Sequence, residues 1–413
     1  MLYPPWVLAT LLAFLPPHFL LLSSFPAADA ALPNTQISPA LAPLELSSAT
    51  RAHSTVPLSR RASSTKSSSS SSSRNIECNG YQELCDRPYN RVSFPATHNS
   101  YAYATNNIAA NQEKSIRQQL DGGIRVFMLD IHRKDRNTIP ASVNIRRKRD
   151  DSSDPSGISL CHTLCLLLYD GPLADELLNF RQYLDANPHE VLTIFFENND
   201  SFTPEQIAAD FSSVGLDKYV YAPSKTSNGT ITWPTLRDMI DQNKRLFVFS
   251  DRSINIAAVP WILPQNQYVA QTSYEVQEGS TFPCSPDSIT KPLVILNHFA
   301  YKTMTVLGRN LPVPIYQDVD SINSGQSFND QLALCNTTLR SPQMPNFVTV
   351  DFYNHGDVFK AVAEINGLPY KSFTTNTFRT SDDSSHTPPV SLPSLVVSIA
   401  VPLLVALAMT LGT

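Results

Sequence analysis

The chain has 413 residues, with 31 Lys and Arg against 36 Asp and Glu, a formal net charge of −5. That balance excludes a nucleic-acid binder built on a broad basic surface, because phosphate contacts need clustered cations to release counterions. The six cysteines contain no Cys-x-x-Cys pair, so an oxidising compartment and disulfides are expected rather than a zinc knuckle.

Residues 1–30 read as a signal peptide: an apolar stretch broken by Pro16 and Pro17, then Ala28-Asp29-Ala30 as a small-x-small cleavage site. An N-terminal membrane anchor is the competing reading, but the stretch is short and interrupted for one. Residues 31–74 are rich in Ser, Ala, Pro and Thr and include an unbroken serine run. Such a composition cannot bury a core, so a disordered linker or propeptide is expected. Arg60-Arg61 is either a processing site or a plain basic pair.

Residues 75–375 form the candidate folded part. Short apolar runs at 92–95, 124–130, 159–161, 191–196, 245–249, 293–296 and 347–352 predict buried strands. Helical patterns at 172–186, 204–211, 235–242 and 357–365 lie between some of them. Alternation of strand and helix argues for a parallel α/β fold, and periodicity does not separate a barrel from a doubly wound sheet. Residues 133–158, with Arg146-Arg147-Lys148-Arg149, predict an exposed inserted loop. That loop is simply solvated, or meets anionic headgroups, or is cut at Lys148-Arg149. Locality favours the pairings Cys78–Cys85, Cys161–Cys165 and Cys284–Cys335, and sequons at Asn199, Asn228 and Asn336 agree with a secretory route.

The tail carries a second processing signature. Ser381-Asp382-Asp383-Ser384-Ser385 offers an ω site within a spacer at 376–394, and residues 395–413 are a hydrophobic stretch with no basic residue after it. That order fits glycosylphosphatidylinositol (GPI) attachment, with a tail-anchored helix as the alternative.

Titratable residues fall where chemistry would be built. His98, Asp130, His162, Glu197 and Asp351 each stand at or just past the C-terminal end of an apolar strand. In a parallel barrel that end carries the active site. Side chains alternate along a strand, so Met128, Asp130 and His132 share one face while Phe127, Leu129 and Ile131 share the other. Asp130 therefore points inward, where a carboxylate must be paired or bind a cation. Asp251, Arg252, Asn297 and His298 follow later strands and line the expected pocket, or serve as caps and surface residues.

Five segments carry a resemblance. Phe94-Pro95-Ala96-Thr97-His98-Asn99-Ser100, Gly123-Ile124-Arg125-Val126-Phe127-Met128-Leu129-Asp130, Cys161-His162 with Gly171-Pro172-Leu173, Glu190-Val191-Leu192-Thr193-Ile194-Phe195-Phe196-Glu197-Asn198 and Val350-Asp351-Phe352 are similar to the catalytic X-type region of phosphatidylinositol-specific phospholipases C. The resemblance implies a somewhat distorted TIM-type (β/α)8 barrel. It implies that His98 and His162 are a general acid–base pair and that Asp351 orients His98. It also implies a divalent cation on Asn99, Asp130 and Glu197, calcium in preference to magnesium. His132 shares their face as a pocket residue.

One position departs from the eukaryotic pattern, which has a further acid where Met128 stands. The leading expectation is thus a secreted, GPI-anchored, monomeric phosphodiesterase acting on a phospholipid or another phosphodiester. A barrel acting on glycerophosphodiesters or sphingomyelin is a second enzyme reading. A catalytically weak barrel with a binding or structural role is the alternative that Met128 favours.

Overall fold

The computed structural model describes residues 76–372, apart from 106, 134–155, 163–164, 166–167, 225–230 and 307–308. The expected signal peptide, Ser-rich segment, ω site, hydrophobic tail, the sequon at Asn228 and most of the basic loop lie outside the described residues.

The chain runs β1 (Phe94–Thr97), α1 (Ile116–Asp121), β2 (Val126–Arg133), β3 (Ile158–Cys161), β4 (Tyr169–Pro172), α2 (Leu173–Ala186), β5 (Leu192–Asn198), α3 (Pro204–Val214), α4 (Leu236–Asp241) and β6 (Leu246–Ser250). It continues through β7 (Ile262–Pro264), α5 (Gln265–Tyr268), β8 (Val269–Gln271), β9 (Leu293–Asn297), β10 (Tyr301–Val306), β11 (Arg309–Pro314), α6 (Val319–Ile322), α7 (Gly325–Thr338), β12 (Phe347–Val350) and α8 (Val358–Ile365). Eight of these strands pair in the order β7-β6-β5-β2-β1-β12-β9-β8, and every pairing along that path is parallel. The result is a distorted (β/α)8 barrel, as the resemblance implies, with β7 and β8 left unpaired to each other. β3 and β4 form an antiparallel hairpin laid on the C-terminal end of β2, with Ile131 opposite Leu160.

Alternation along the strands sorts the apolar residues into two cores. Phe94, Ala96, Val126, Phe195, Phe247, Phe249, Leu293, Ile295 and Phe347 pack inside the barrel. Phe127, Leu129, Ile131, Ile194, Phe196, Val248, Val348 and Val350 face outward and meet Leu177, Phe180, Phe211 and Val358 from the helices. Each such side chain contributes about 1.5–3 kcal/mol by leaving water. A one-residue slip in β2 would exchange the two sets and turn Asp130 into the helix layer. The helices start where the sequence supplies caps: Thr203 accepts from Gln206 N ahead of Pro204, and Gly215 closes α3 with φ 70°. The disulfides pair as expected, Cys78–Cys85, Cys161–Cys165 and Cys284–Cys335.

The turn after β12 depends on one glycine. Gly356 has φ 78°, and a Cβ there would lie 2.0 Å from the Asn323 carbonyl oxygen. Asn323 in turn donates its side-chain amide to the Asp351 carbonyl at 2.8 Å. Gly356→Ala is expected to cost about 2 kcal/mol or more, a fall in Tm of about 4 °C or greater. Thermal unfolding within about 1 °C of wild type would show that the loop absorbs the clash.

Candidate active site

The parallel strands deliver His98, Asp351, Asp130 and Glu197 to one end of the barrel. β1 lies beside β12, so His98 and Asp351 leave neighbouring strands together. His98 Nδ1 is 3.0 Å from Asp351 Oδ1, and the His98 ring stacks on Phe299 at 3.9 Å with 6° between planes. The next residue on each strand turns sharply: Asn99 has φ 42° and Phe352 has φ 48°. For a bulky residue such as Phe352 this is a costly backbone state, and it recurs at sites where side chains must be aimed.

His162 follows β3. Its Nδ1 is 2.6 Å from the Ala109 carbonyl oxygen, which can only accept. Nδ1 therefore carries the proton, and Nε2 lies 3.2 Å from one arm of the Asn99 amide. The other arm of Asn99 lies 3.1 and 3.3 Å from the two Asp130 oxygens. Asp130 and Glu197 stand side by side in the β2–β5 register. Asp130 is buried, and its Oδ2 is 3.0 Å from the Tyr101 hydroxyl, whose single proton is shared between that carboxylate and the Cys161 carbonyl at 2.9 Å. Tyr101 thus ties the Asp130 carboxylate to the strand end that carries His162.

Electrostatics pulls the titrating groups apart. Burial, then the charge of Glu197, pushes the Asp130 carboxyl up to about 7, although His98 and Tyr101 pull it back. Burial lowers the His98 pKa, but the charge and hydrogen bond of Asp351, with Asp130 and Glu197 behind it, outweigh burial and raise it. Burial dominates at His162 and lowers its pKa, only partly offset by the Ala109 carbonyl. One histidine is thereby biased to hold a proton and the other to lack one, the pattern that separates acid from base.

The remaining expected residues are placed less centrally. His132 sits on the rim, with Nδ1 3.7 Å from Asp200 and Nε2 3.4 Å from the Asn199 amide. Asp251 accepts from Asn198 N at 2.9 Å and pairs with Arg252. His298 departs from the pocket expectation, while Asn297 keeps the interior face of Ile295. Asn297 spends its amide on the Thr272 carbonyl at 2.7 Å, locking β9 to β8. His298 falls on the outward face of the strand end, wedged between Phe282 and Phe328, with its ring nitrogens near Gln331 Oε1 and the Ile322 carbonyl. The physical reason is parity: one step beyond Asn297 the side chain leaves the barrel interior.

His298 gives a stability prediction. Burial pushes its pKa down to about 4, against the opposing hydrogen bonds of Gln331 and Ile322. The folded state therefore resists protonation that the unfolded chain accepts near 6.5. Its stabilisation is fully present above about pH 6.5 and is lost as pH falls toward about 4, on the order of 3 kcal/mol. Denaturant titrations at pH 7 and pH 4.5 on wild type and His298→Phe test this. An equal acid sensitivity in both proteins would remove His298 as a cause.

Sequence reasoning missed Tyr101, Asn111, Gln112 and Phe299. All four lie in loops past strand ends, where no period marks them. Asn111 Nδ2 donates to Asp351 Oδ1 at 3.0 Å, and Gln112 Nε2 donates to the carbonyls of His98 and Val350 at 2.9 and 3.1 Å. Among the described residues no group of three or more His, Cys, Asp and Glu could hold a metal ion. The oxygen set here is two carboxylates and one amide.

Comparison with known proteins supplies the context. A family model described as PI-PLC X 1 matches residues 84–366. A protein of Arthroderma benhamiae called "Uncharacterized secreted protein" is 31% identical over 306 residues, covering 71% of this chain and 64% of that protein, less than two thirds of its length. Another from the same organism, "PI-PLC X domain-containing protein 1", is 32% identical over 303 residues, covering 71% of this chain and 91% of that one. The solved phosphatidylinositol-specific phospholipase C from Listeria monocytogenes is 16% identical with a TM-score of 0.42, over 70% of this chain and 96% of that one.

Proposed function

The chain belongs to the PI-PLC X domain family, and from that premise we propose that it is a secreted phosphoric diester hydrolase using His98 and His162 as its acid–base pair. The observation that carries this reading is the arrangement of the two imidazoles. His98 is held through Nδ1 by Asp351, and His162 is held through Nδ1 by a backbone carbonyl. Both rings thus have Nε2 as their working nitrogen. One imidazole takes the proton of the attacking hydroxyl as its oxygen bonds to phosphorus. The other gives a proton to the alkoxide that leaves as the P–O bond breaks. With a phosphoinositide the attacking hydroxyl is the inositol's own, so a cyclic phosphodiester and a free alcohol result.

The substrate's negative charge must also be met, and the site's own charges are mostly carboxylates. Asn99 presents one amide arm 3.1 Å from an Asp130 oxygen. If that arm is oxygen, it faces a carboxylate with no hydrogen between them, an arrangement relieved by a proton or by a hard cation. The donors fit calcium, with Asn99, Asp130 and Glu197 as the residues that would hold it. When bound, such a cation lowers the hydroxyl pKa and stabilises charge on phosphate oxygens.

The export expectation is part of the same proposal. It is supported by the disulfides and by a relative whose name calls it secreted. GPI attachment to a cell surface and a monomeric state are proposed with it. The second reading, a barrel of weak or no turnover, is favoured by Met128, an apolar residue packed where a further carboxylate would complete the oxygen set.

The experiment is an assay of the secreted full chain on phosphatidylinositol, lysophosphatidylinositol and glycerophosphodiesters, each with calcium, magnesium or chelator. Turnover on one of them supports the hydrolase. A protein with a cooperative melt and no turnover on any of them would shift the assignment to binding.

A further inference from the structure

Asn111 touches both halves of the site. It is 2% exposed, its N–H donates to the Ala102 carbonyl at 2.9 Å, and its own carbonyl accepts from Phe352 N at 2.8 Å. The backbone origin of its side chain is therefore fixed from two directions. The amide orientation follows from its neighbours without choice. Asp351 as a carboxylate only accepts, so the arm 3.0 Å from its Oδ1 is the Asn111 nitrogen. The other arm is oxygen, and it faces the Asn99 amide at 3.3 Å. That arm of Asn99 must then be its NH2 group. The same NH2 lies 3.2 Å from His162 Nε2, which is bare because Nδ1–H is committed to Ala109. The reversed Asn99 orientation would set its oxygen against the Asn111 oxygen, whereas this one sets its oxygen 3.1 and 3.3 Å from the Asp130 oxygens and requires a proton on Asp130 or a cation between them.

Hydrogen bonds thus run from His98 to Asp351, from Asp351 to Asn111 and from Asn111 to Asn99, whose amide ends 3.2 Å from His162 Nε2. The bland account is a buried asparagine that satisfies a loop. The adjacent Gln112 does that work, bonding the His98 and Val350 carbonyls and the Tyr353 amide. The Asn111 side chain bonds none of the loop's backbone and goes to Asp351, His98 Nδ1 and Asn99 instead.

We propose that Asn111 is a positioning residue that holds the Asp351–His98 pair against Asn99, fixing the His98 imidazole with its Nε2 free to work. Its kinetic consequence rests on the acid–base reading of the two histidines. Its structural consequence does not, and the experiment separates them. The full chain carrying Asn111→Leu or Asn111→Asp is compared with wild type. A kcat on phosphatidylinositol reduced by about 10–100-fold, with KM changed less than about threefold, is expected. The hydrogen-bonded Nδ1–H proton of His98 is expected downfield by NMR in wild type, and to shift or exchange away in a folded variant. A loop-filling role would leave it in place.

Wild-type kcat in a folded Asn111→Leu protein overturns the inference. If wild type itself shows no turnover, the acid–base reading is what fails. The His98 resonance then decides alone, and an unchanged signal in Asn111→Leu overturns the positioning role. If neither variant folds, nuclear Overhauser contacts in wild type between the Asn111 amide protons and His98 Nδ1–H decide: present they support it, absent they overturn it.

Discussion

Replacing His98 or His162 with alanine is expected to lower kcat on the productive phosphodiester by roughly 10²–10⁴-fold, the usual worth of a positioned acid or base. The two losses differ in their side effects. His98→Ala removes the ring stacked on Phe299 and strips Asp351 of one of its two N–H donors, leaving Asn111 alone on that carboxylate oxygen. A carboxylate that is 9% exposed with one donor fewer costs folding free energy, about 1–3 kcal/mol. His162→Ala frees only the Ala109 carbonyl and one arm of Asn99, so a smaller change in Tm is expected. Asp351→Asn is a milder test of the same machinery. It keeps the shape but turns a strict acceptor into a group that can donate, so the wrong His98 tautomer becomes available. A loss of about 10–10³-fold is expected, with KM nearly unchanged. Since the two histidines act on one reaction, the double alanine variant should lose little more than the worse single variant. Steady-state rates with thermal melts on each protein check this. Retention of wild-type kcat by a folded His98→Ala and His162→Ala pair would end the acid–base proposal.

The centre of this site was legible because strand parity is strict. Once Phe127, Leu129 and Ile131 are assigned to the helix side, Asp130 has only the barrel interior to enter, and the two apolar cores divide on that line. Glu197 and Asp351 follow by the same count along β5 and beyond β12. His298 is the exception to the inward set. Its place past a strand end suggests a pocket residue, yet the same parity that places Asp130 inward places His298 outward, among Phe282 and Phe328. Applying the alternation one step further would have separated it from Asn297. Asn111 was illegible for a different reason. It lies in the loop between β1 and α1, where neither period operates, and its importance comes from contacts with residues 240 positions away. β7 and β8, three residues each, are too short for any window to register. The β3–β4 hairpin is half legible, since the apolar run at 159–161 reads as a strand, but its antiparallel placement on β2 comes from tertiary pairing alone.

Chelation is expected to reduce turnover of the wild-type chain to a few per cent or less, and Met128→Glu is expected to tighten cation binding. The reasoning starts from charge. Asn99, Asp130 and Glu197 offer two negative charges and one neutral oxygen, fewer than the six to eight oxygens that calcium takes, so water and substrate phosphate must complete the shell. Affinity should therefore be modest and should rise when phosphodiester is present. Without a cation the Asp130 carboxyl titrates near 7, driven first by burial and then by Glu197. Protons and cations compete for it, so cation affinity should fall as pH drops below about 7, and binding should release protons there. Calorimetry in two buffers of different ionisation enthalpy measures that release. Met128 lies two residues before Asp130 on the same face, opposite Phe195 in the β2–β5 register and against the inner apolar core. A glutamate there adds a fourth oxygen donor but takes a charge into that core. In chelator, Met128→Glu should be less stable than wild type by about 2 kcal/mol or more. Added calcium should recover that loss and raise its Tm above the shift seen in wild type, because a ligand bound only by the folded state stabilises it in proportion to its affinity. If chelator leaves wild-type turnover intact and neither protein gains stability from calcium, the oxygen trio is not a cation site. Asp130 would then hold a proton and donate to Asn99, and the phosphate charge would have to be met by His98 in its protonated state.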